Sequence, residues 1–187
     1  MTAMLKDGEH LVIDNFLENM YLEQWYDVAV GKVPMFYAPN TLRVDVSNDN
    51  YFFHMIFTEM KPASEVFNLF LQIFVNNPTG LRMDALSDIK QLWYPKTSEI
   101  EEYDTFSHSK GSVDNLILFL DTNNGYVKLP DGNKIESIKN RLLYFKGNPR
   151  SIKHTTHTDG DNWLGCRTHI QCFLNEMPKG NGESKKY

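Results

Sequence analysis

Residues Leu116–Asn148 read LILFLDTNNGYVKLPDGNKIESIKNRLLYFKGN, and the texture of this stretch decides the fold. Its opening, Leu116–Leu120, is an unbroken run of large apolar side chains. It is too short for a globular helix and too apolar for a strand with one wet face, so it predicts a strand covered on both sides. Side chains alternate along a strand, which puts Leu116, Leu118 and Leu120 opposite Ile117 and Phe119. Asp121–Gly125 (DTNNG) is rich in residues that tolerate left-handed backbone angles and reads as a turn. Tyr126–Leu129, a second turn at Pro130–Asn133, Lys134–Ile138 and the buried run Leu142–Phe145 continue the pattern. Short strands with regular turn signals predict a β-sandwich or barrel.

Toward the N-terminus the texture is mixed. His10–Phe16 (HLVIDNF) reads as a short strand. Leu17–Val30 carries Leu17, Tyr21, Trp25 and Val28 at helical spacing, with Asp14 or Asn15 available as a cap. Gly31–Asn50 is loop-like, Tyr51–Glu59 a buried strand, and Ala63–Val75 a second helix that Asn76-Asn77-Pro78 ends. Ala85–Tyr94 and Glu99–Phe106 are further strands, and Arg167–Leu174 closes the series. Two helical segments followed by about eight strands is an α+β order, met by an antiparallel double sheet with N-terminal helices against one face.

The chain has 187 residues and a net charge of −5, with 41% hydrophobic and 23% charged side chains. That is a globular composition, long enough for one core and short for two. The acidic balance argues against a nucleic-acid binder or an anionic-membrane binder, which need clustered Lys and Arg. The two cysteines, Cys166 and Cys172, share one face of a single strand, a poor geometry for a disulfide. Met1–Glu9 has no signal-peptide core and no apolar run is long enough for a bilayer, so a cytoplasmic setting is expected. Residues 1–176 are read as a single domain and 177–187 as a polar tail.

Six histidines are spread along the chain, and His108, His154, His157 and His169 fall in the strand-rich part. A non-haem iron site needs two imidazoles and a carboxylate on one face of the metal, with positions left open. No phosphate-binding Gly-rich loop and no Gly-x-Ser-x-Gly elbow competes with that chemistry.

The apolar strand, the Asn-Asn-Gly turn, the Asp-Gly and the NRLLYF of Leu116–Asn148 resemble the iron(II)/2-oxoglutarate-dependent oxygenases of the prolyl-4-hydroxylase-like, marine phage type. HLVIDNFL, YFFHM at Tyr51–Met55 and LWY at Leu92–Tyr94 fit the same layout, so the likeness runs from His10 to about Asn175. It implies a double-stranded β-helix (jelly-roll, cupin-like) core with N-terminal helices. It also implies iron(II) and 2-oxoglutarate as cofactors, with dioxygen as cosubstrate, for hydroxylation of a protein side chain or small molecule. His108 and His154 would be iron ligands, with His157 as the alternative to His154. Arg167 would pair with the far carboxylate of 2-oxoglutarate, because its fork is bidentate, and Tyr94 would donate a hydrogen bond to the cosubstrate. A phage origin would make the compartment the host cytoplasm and allow association with the phage particle.

The sequence departs from that pattern at the carboxylate. Where the family has His-x-Asp, this chain reads His108-Ser109-Lys110, and a protonated lysine cannot ligate iron. Asp104 and Asp114 are the remaining candidates, neither at the right spacing. The other reading is therefore an inactive oxygenase-fold protein serving as a phage structural or host-interaction module.

Overall fold

The structure is a computed structural model that describes residues 5–38, 51–75, 86–104, 113–148, 151–160 and 166–175. The central apolar run forms β7 (Val113–Phe119). Its alternation is as the sequence requires: Leu116, Leu118 and Leu120 join one buried cluster, and Ile117 and Phe119 join another. Each face must therefore be covered by a different layer.

The first layer contains both helices, α1 (Asn19–Gly31) and α2 (Phe67–Val75). Leu22 and Trp25 of α1 and Phe67 and Phe70 of α2 share the cluster that takes in Leu116, Leu118 and Leu120. The second layer is a small antiparallel sheet of β6 (Glu102–Asp104), β8 (Tyr126–Lys128), β9 (Lys134–Glu136) and β11 (Lys153–Thr155), in the order β6-β11-β8-β9. Val127 and Ile135 from this sheet pack with Ile117 and Phe119.

Between the two layers lies the larger antiparallel sheet. It contains β1 (His10–Ile13), β2 (Phe36–Ala38), β3 (Tyr51–Thr58), β5 (Leu86–Pro95), β7, β10 (Leu142–Phe145) and β12 (Cys166–Asn175). Their order is β1-β10-β7-β12-β5-β3-β2, and β4 (Lys61–Pro62) pairs with β3. β12 is central, with His169 opposite both Leu92 of β5 and Phe119 of β7. Both cysteines are free.

Several local expectations are corrected. Helix α1 has no side-chain cap; its N-cap is Glu18 in an extended conformation. Asp14 is unavailable because its carboxylate binds Arg141 at 2.6 and 3.1 Å, and Asn15 takes a φ of 51°. Helix α2 starts late, because Ala63 N–H still bonds the Ile56 carbonyl of β3. Four strands precede or separate the helices. β2, β4 and β11 are two or three residues long, too short to show a period in sequence. The Asp121–Gly125 turn uses no left-handed residue. It is held instead by hydrogen bonds from Asn123 Nδ2 to Asp121 and from Gly125 N–H to Asn123 Oδ1. Asn76-Asn77-Pro78 and the C-terminal tail lie outside the described residues.

The N-terminal segment is fastened to the sheet by one buried side chain. Asn140, at a φ of 65°, accepts from Leu17 N–H and donates to the Leu17 carbonyl, both at 2.8 Å. This amide replaces a missing backbone ladder just before α1. Asn140→Ala leaves both Leu17 groups without partners and strains the left-handed position, so a loss of about 2–4 kcal/mol is expected. Urea unfolding checks it; a loss below half a kcal/mol would show that water replaces the amide.

Candidate functional site

β12 has a polar inner face. Arg167, His169 and Gln171 alternate with Thr168, Ile170 and Cys172, and Ile170 and Cys172 belong to the helix-side cluster. Arg167 and His169 are 0% exposed. The smaller sheet contributes His154 from β11, which lies opposite Tyr103 of β6 and Val127 of β8. Tyr94 enters from β5, opposite Arg167. Strands of both sheets thus meet around one polar chamber.

The rings in it are stacked. His154 and His169 lie 4.9 Å apart between centroids, with planes 8° from parallel. Tyr94 lies 5.6 Å from each, and Tyr103 extends the stack from the other side of Tyr94 at 6.1 Å. The Arg167 guanidinium sits over the rings of Tyr94 and Phe119 at 5.8 and 5.4 Å. Its Nη1 donates to the Thr155 carbonyl at 3.1 Å.

What the chamber lacks is partners. Both ring nitrogens of His154, both of His169, and Nε and Nη2 of Arg167 are buried without a hydrogen bond. Each such group costs about 1–3 kcal/mol when left unmade, and more when charged. Burial, together with the neighbouring Arg167, pushes both imidazoles well below their ordinary value and keeps them neutral. Burial also lowers Arg167, to about 10, against the opposing pull of Tyr94 and Asp121. The Asp121 carboxylate accepts from Thr168 N–H at 3.0 Å and from Asn123 Nδ2 at 2.9 Å. The chamber is therefore donor-rich and short of anions, and its neutral imidazoles are in the state a metal requires. Two imidazoles and a free guanidinium edge fit a metal with an anionic cosubstrate.

The sequence candidates divide as follows. Arg167, Tyr94 and His154 come together. His157 lies beyond the end of β11, buried, with Nδ1–H donating to the Asp159 carbonyl and Nε2 unpartnered. Asp114 is corrected. Strand alternation puts it on the same face as Leu116, and its carboxylate accepts the Tyr144 hydroxyl at 2.7 Å, so it does not reach the chamber. His108 and Lys110 lie outside the described residues, as does the side chain of Asp104. Among the described residues no group of three or more His, Cys, Asp or Glu forms a ready metal site. His169 was not singled out from the sequence. The signal was there: it stands two residues after Arg167, hence on the same strand face.

With this geometry in view, the chain can be set beside known proteins. A prolyl-4-hydroxylase from Pseudomonas putida matches 89% of this chain and 92% of its own, with a TM-score of 0.55 at 15% identity. An oxidoreductase of the 2OG-Fe(II) oxygenase family from Burkholderia pseudomallei matches 89% and 85%, with a TM-score of 0.59 at 9% identity. The chain has the 2-oxoglutarate–iron(II) oxygenase fold. A prolyl hydroxylase from Trichoplax adhaerens, solved with a hypoxia inducible factor oxygen degradation domain peptide fragment, gives 0.56 at 14% identity over 89% of this chain and 83% of its own. No family model and no curated protein sequence matches the chain.

The oxygenase-fold chamber has a further support in Gly125. A Cβ there would meet Arg167 Cδ at 2.7 Å, Asn123 Oδ1 at 2.8 Å and the Thr156 carbonyl at 2.9 Å. The missing side chain is what lets the Arg167 stem pass. Gly125→Ala should cost about 1–3 kcal/mol by overpacking and displace the guanidinium. Thermal melts together with the NMR shifts of the Arg167 side chain check it, and unchanged shifts would dissociate Gly125 from the site.

The buried imidazoles also fix a pH dependence. In the unfolded chain both protonate near 6.5, while in the folded chain they stay neutral well below that value. The unfolded state then binds the extra protons, so stability is complete above about pH 7 and falls as pH drops below the unfolded value. The slope approaches about 1.4 kcal/mol per pH unit for each ring. Urea midpoints of the metal-free protein between about pH 7.5 and 5, above the range of ordinary carboxylates, measure this. A flat profile there would mean that the rings are already solvated.

Proposed function

We propose that the chain is a non-haem iron(II)/2-oxoglutarate-dependent oxygenase of the hydroxylase type, acting on a protein side chain or a small molecule. In this reading the two sheets and their helices form a double-stranded β-helix over residues 1–176, followed by the polar tail. The observation that carries the reading is Arg167: a fully buried guanidinium with two unpartnered N–H groups, beside buried neutral imidazoles, in an oxygenase fold. An unpaired charge in such a place is expensive unless a bound anion completes it.

His154 would hold the metal, with His108 or His157 as further imidazole candidates. Arg167 would bind the far carboxylate of 2-oxoglutarate through Nε and Nη2, while Nη1 stays anchored on the Thr155 carbonyl. Tyr94, stacked against both imidazoles, would orient the cosubstrate from the β5 side. Phe119, packed with Ile117, Val127 and Phe145, lies against His169 and Arg167 and would help keep water from the site. When bound, iron, 2-oxoglutarate and dioxygen supply the oxidising power that hydroxylates a C–H bond. No helix among the described residues is long and apolar enough to cross a membrane; a cytoplasmic setting, in a phage host if phage-encoded, remains part of the proposal. The peptide bound to the Trichoplax relative supports a protein substrate as one option.

One observation favours the second reading, an inactive phage structural or host-interaction protein. The sequence has Lys110 where the carboxylate is expected, and Asp114 is engaged elsewhere.

Anaerobic titration of the purified protein with iron(II) and 2-oxoglutarate separates the two. The oxygenase should develop the metal-to-ligand charge-transfer band, and it should form succinate when oxygen is admitted. Arg167→Lys, which loses the bidentate fork, should weaken 2-oxoglutarate about ten- to a hundred-fold. No band at saturating metal and cosubstrate would favour the inactive module.

A further inference from the structure

The pair His154–His169 joins opposite sheets. β11 belongs to the small sheet and β12 to the large one, so the two imidazoles reach the chamber from facing walls and meet there with rings 4.9 Å apart. Both are at least 99% buried, and all four of their ring nitrogens lack a hydrogen bond. A structural histidine in a core normally fixes its tautomer through at least one partner, as His54 does with the Pro34 carbonyl at 2.9 Å and the Ser64 hydroxyl at 2.7 Å. Two adjacent imidazoles without any partner are accounted for by something that accepts their lone pairs together. A transition-metal ion does so, with bonds of about 2.1 Å to nitrogen, once the rings turn from their stacked arrangement so that one nitrogen of each faces a shared point.

We propose that His169 is a metal ligand, paired with His154, and supplies the donor that the His108-Ser109-Lys110 segment lacks. The proposal rests on the oxygenase reading of the site and adds the identity of the ligand. Replacing a carboxylate by a neutral imidazole changes the chemistry in two ways. An all-nitrogen donor set favours the later divalent ions, so copper, nickel and zinc should bind more tightly than iron or manganese by a wider margin than at a carboxylate-bearing site. It also leaves the metal charge uncompensated next to Arg167, so metal affinity should rise when an anionic chelator such as 2-oxoglutarate is present.

The test uses the full chain, with copper(II) as a spectroscopic probe and nickel(II) for affinity. In the wild type, nitrogen superhyperfine splitting in the copper EPR spectrum should report at least two imidazoles. His169→Gln should remove one of them and weaken nickel about a hundred-fold or more, since even outer-sphere partners of a metal ligand cost ten- to a hundred-fold. His154→Gln should do the same. Should the Gln variants fail to fold, the wild type labelled with nitrogen-15 at histidine and loaded with cobalt(II) gives the answer directly, through hyperfine-shifted His169 ring resonances. Unchanged nickel affinity and splitting in His169→Gln, with only 2-oxoglutarate binding weakened, would overturn the ligand assignment while leaving the oxygenase reading in place. A wild type that binds none of these ions, with or without 2-oxoglutarate, would sink the oxygenase reading, and this inference with it.

Discussion

Strand β12 is buried on both faces, and the two faces have opposite chemistry. Toward the helices it presents Ile170, Cys172 and Leu174, which merge with Trp25, Phe70 and Leu118 into one apolar cluster. Toward the smaller sheet it presents Arg167, His169 and Gln171, all at most 2% exposed. Hydrophobic burial on the first face holds the strand in place. The second face is then carried into the interior whatever its polarity, because the pleat leaves it nowhere else to go. The chamber is thus a consequence of the outer face: the helices fix β12, and β12 delivers a guanidinium and an imidazole to a place water does not reach.

Further along the same inner face some polar groups meet one another. Gln171 Nε2 donates to Asn115 Oδ1 at 3.1 Å, and Lys90, lowered to about 8 by burial against the opposing pull of Asp88, lies 5.3 Å from the Phe173 ring. Among the described residues, six buried side-chain nitrogens without a hydrogen bond belong to His154, His169 and Arg167, beside single atoms elsewhere such as Asn115 Nδ2 and Trp93 Nε1. Three adjacent side chains that each leave two buried nitrogens unmet call for a local reason, and ligand binding would supply one.

The parts of this arrangement legible in sequence are those with a period or a long apolar run. Leu116–Leu120 announced a strand covered on both sides because a run of five large apolar side chains that ends at a turn is too short for a buried helix. Arg167 stood out because it opens a long alternating segment. β11 could not be found that way: it has three residues, Lys153, His154 and Thr155, all of them polar, and it is held between β6 and β8. His154 was therefore picked from the order of histidines and from resemblance, without its strand. The role of Gly125 was hidden for a related reason. Its turn looked like a site for left-handed backbone, whereas the residue is needed for space beside Arg167, a contact between positions 42 apart in sequence. Asp114 was misjudged because composition does not say which side of a strand a residue occupies; the parity set by Leu116 does.

The charge balance of the chamber bears on how such a site would operate. Neutral imidazoles bring no negative charge, and the adjacent guanidinium already carries one positive charge, with Nη1 on the Thr155 carbonyl and Nε and Nη2 without a hydrogen bond. Adding a divalent ion to this environment raises a local charge that low dielectric makes costly. A carboxylate ligand would lower that cost before any cosubstrate arrived. Without one, the compensation would have to come from the anion that also meets Arg167, and metal and cosubstrate would each improve the other's binding by the same factor. Under the proposed function, the departure at Lys110 would shift the site from one that holds its metal independently toward one assembled by metal and cosubstrate together. In that arrangement the buried arginine would have a double effect: its charge would oppose the metal alone and would recruit the dianion that offsets the metal's charge.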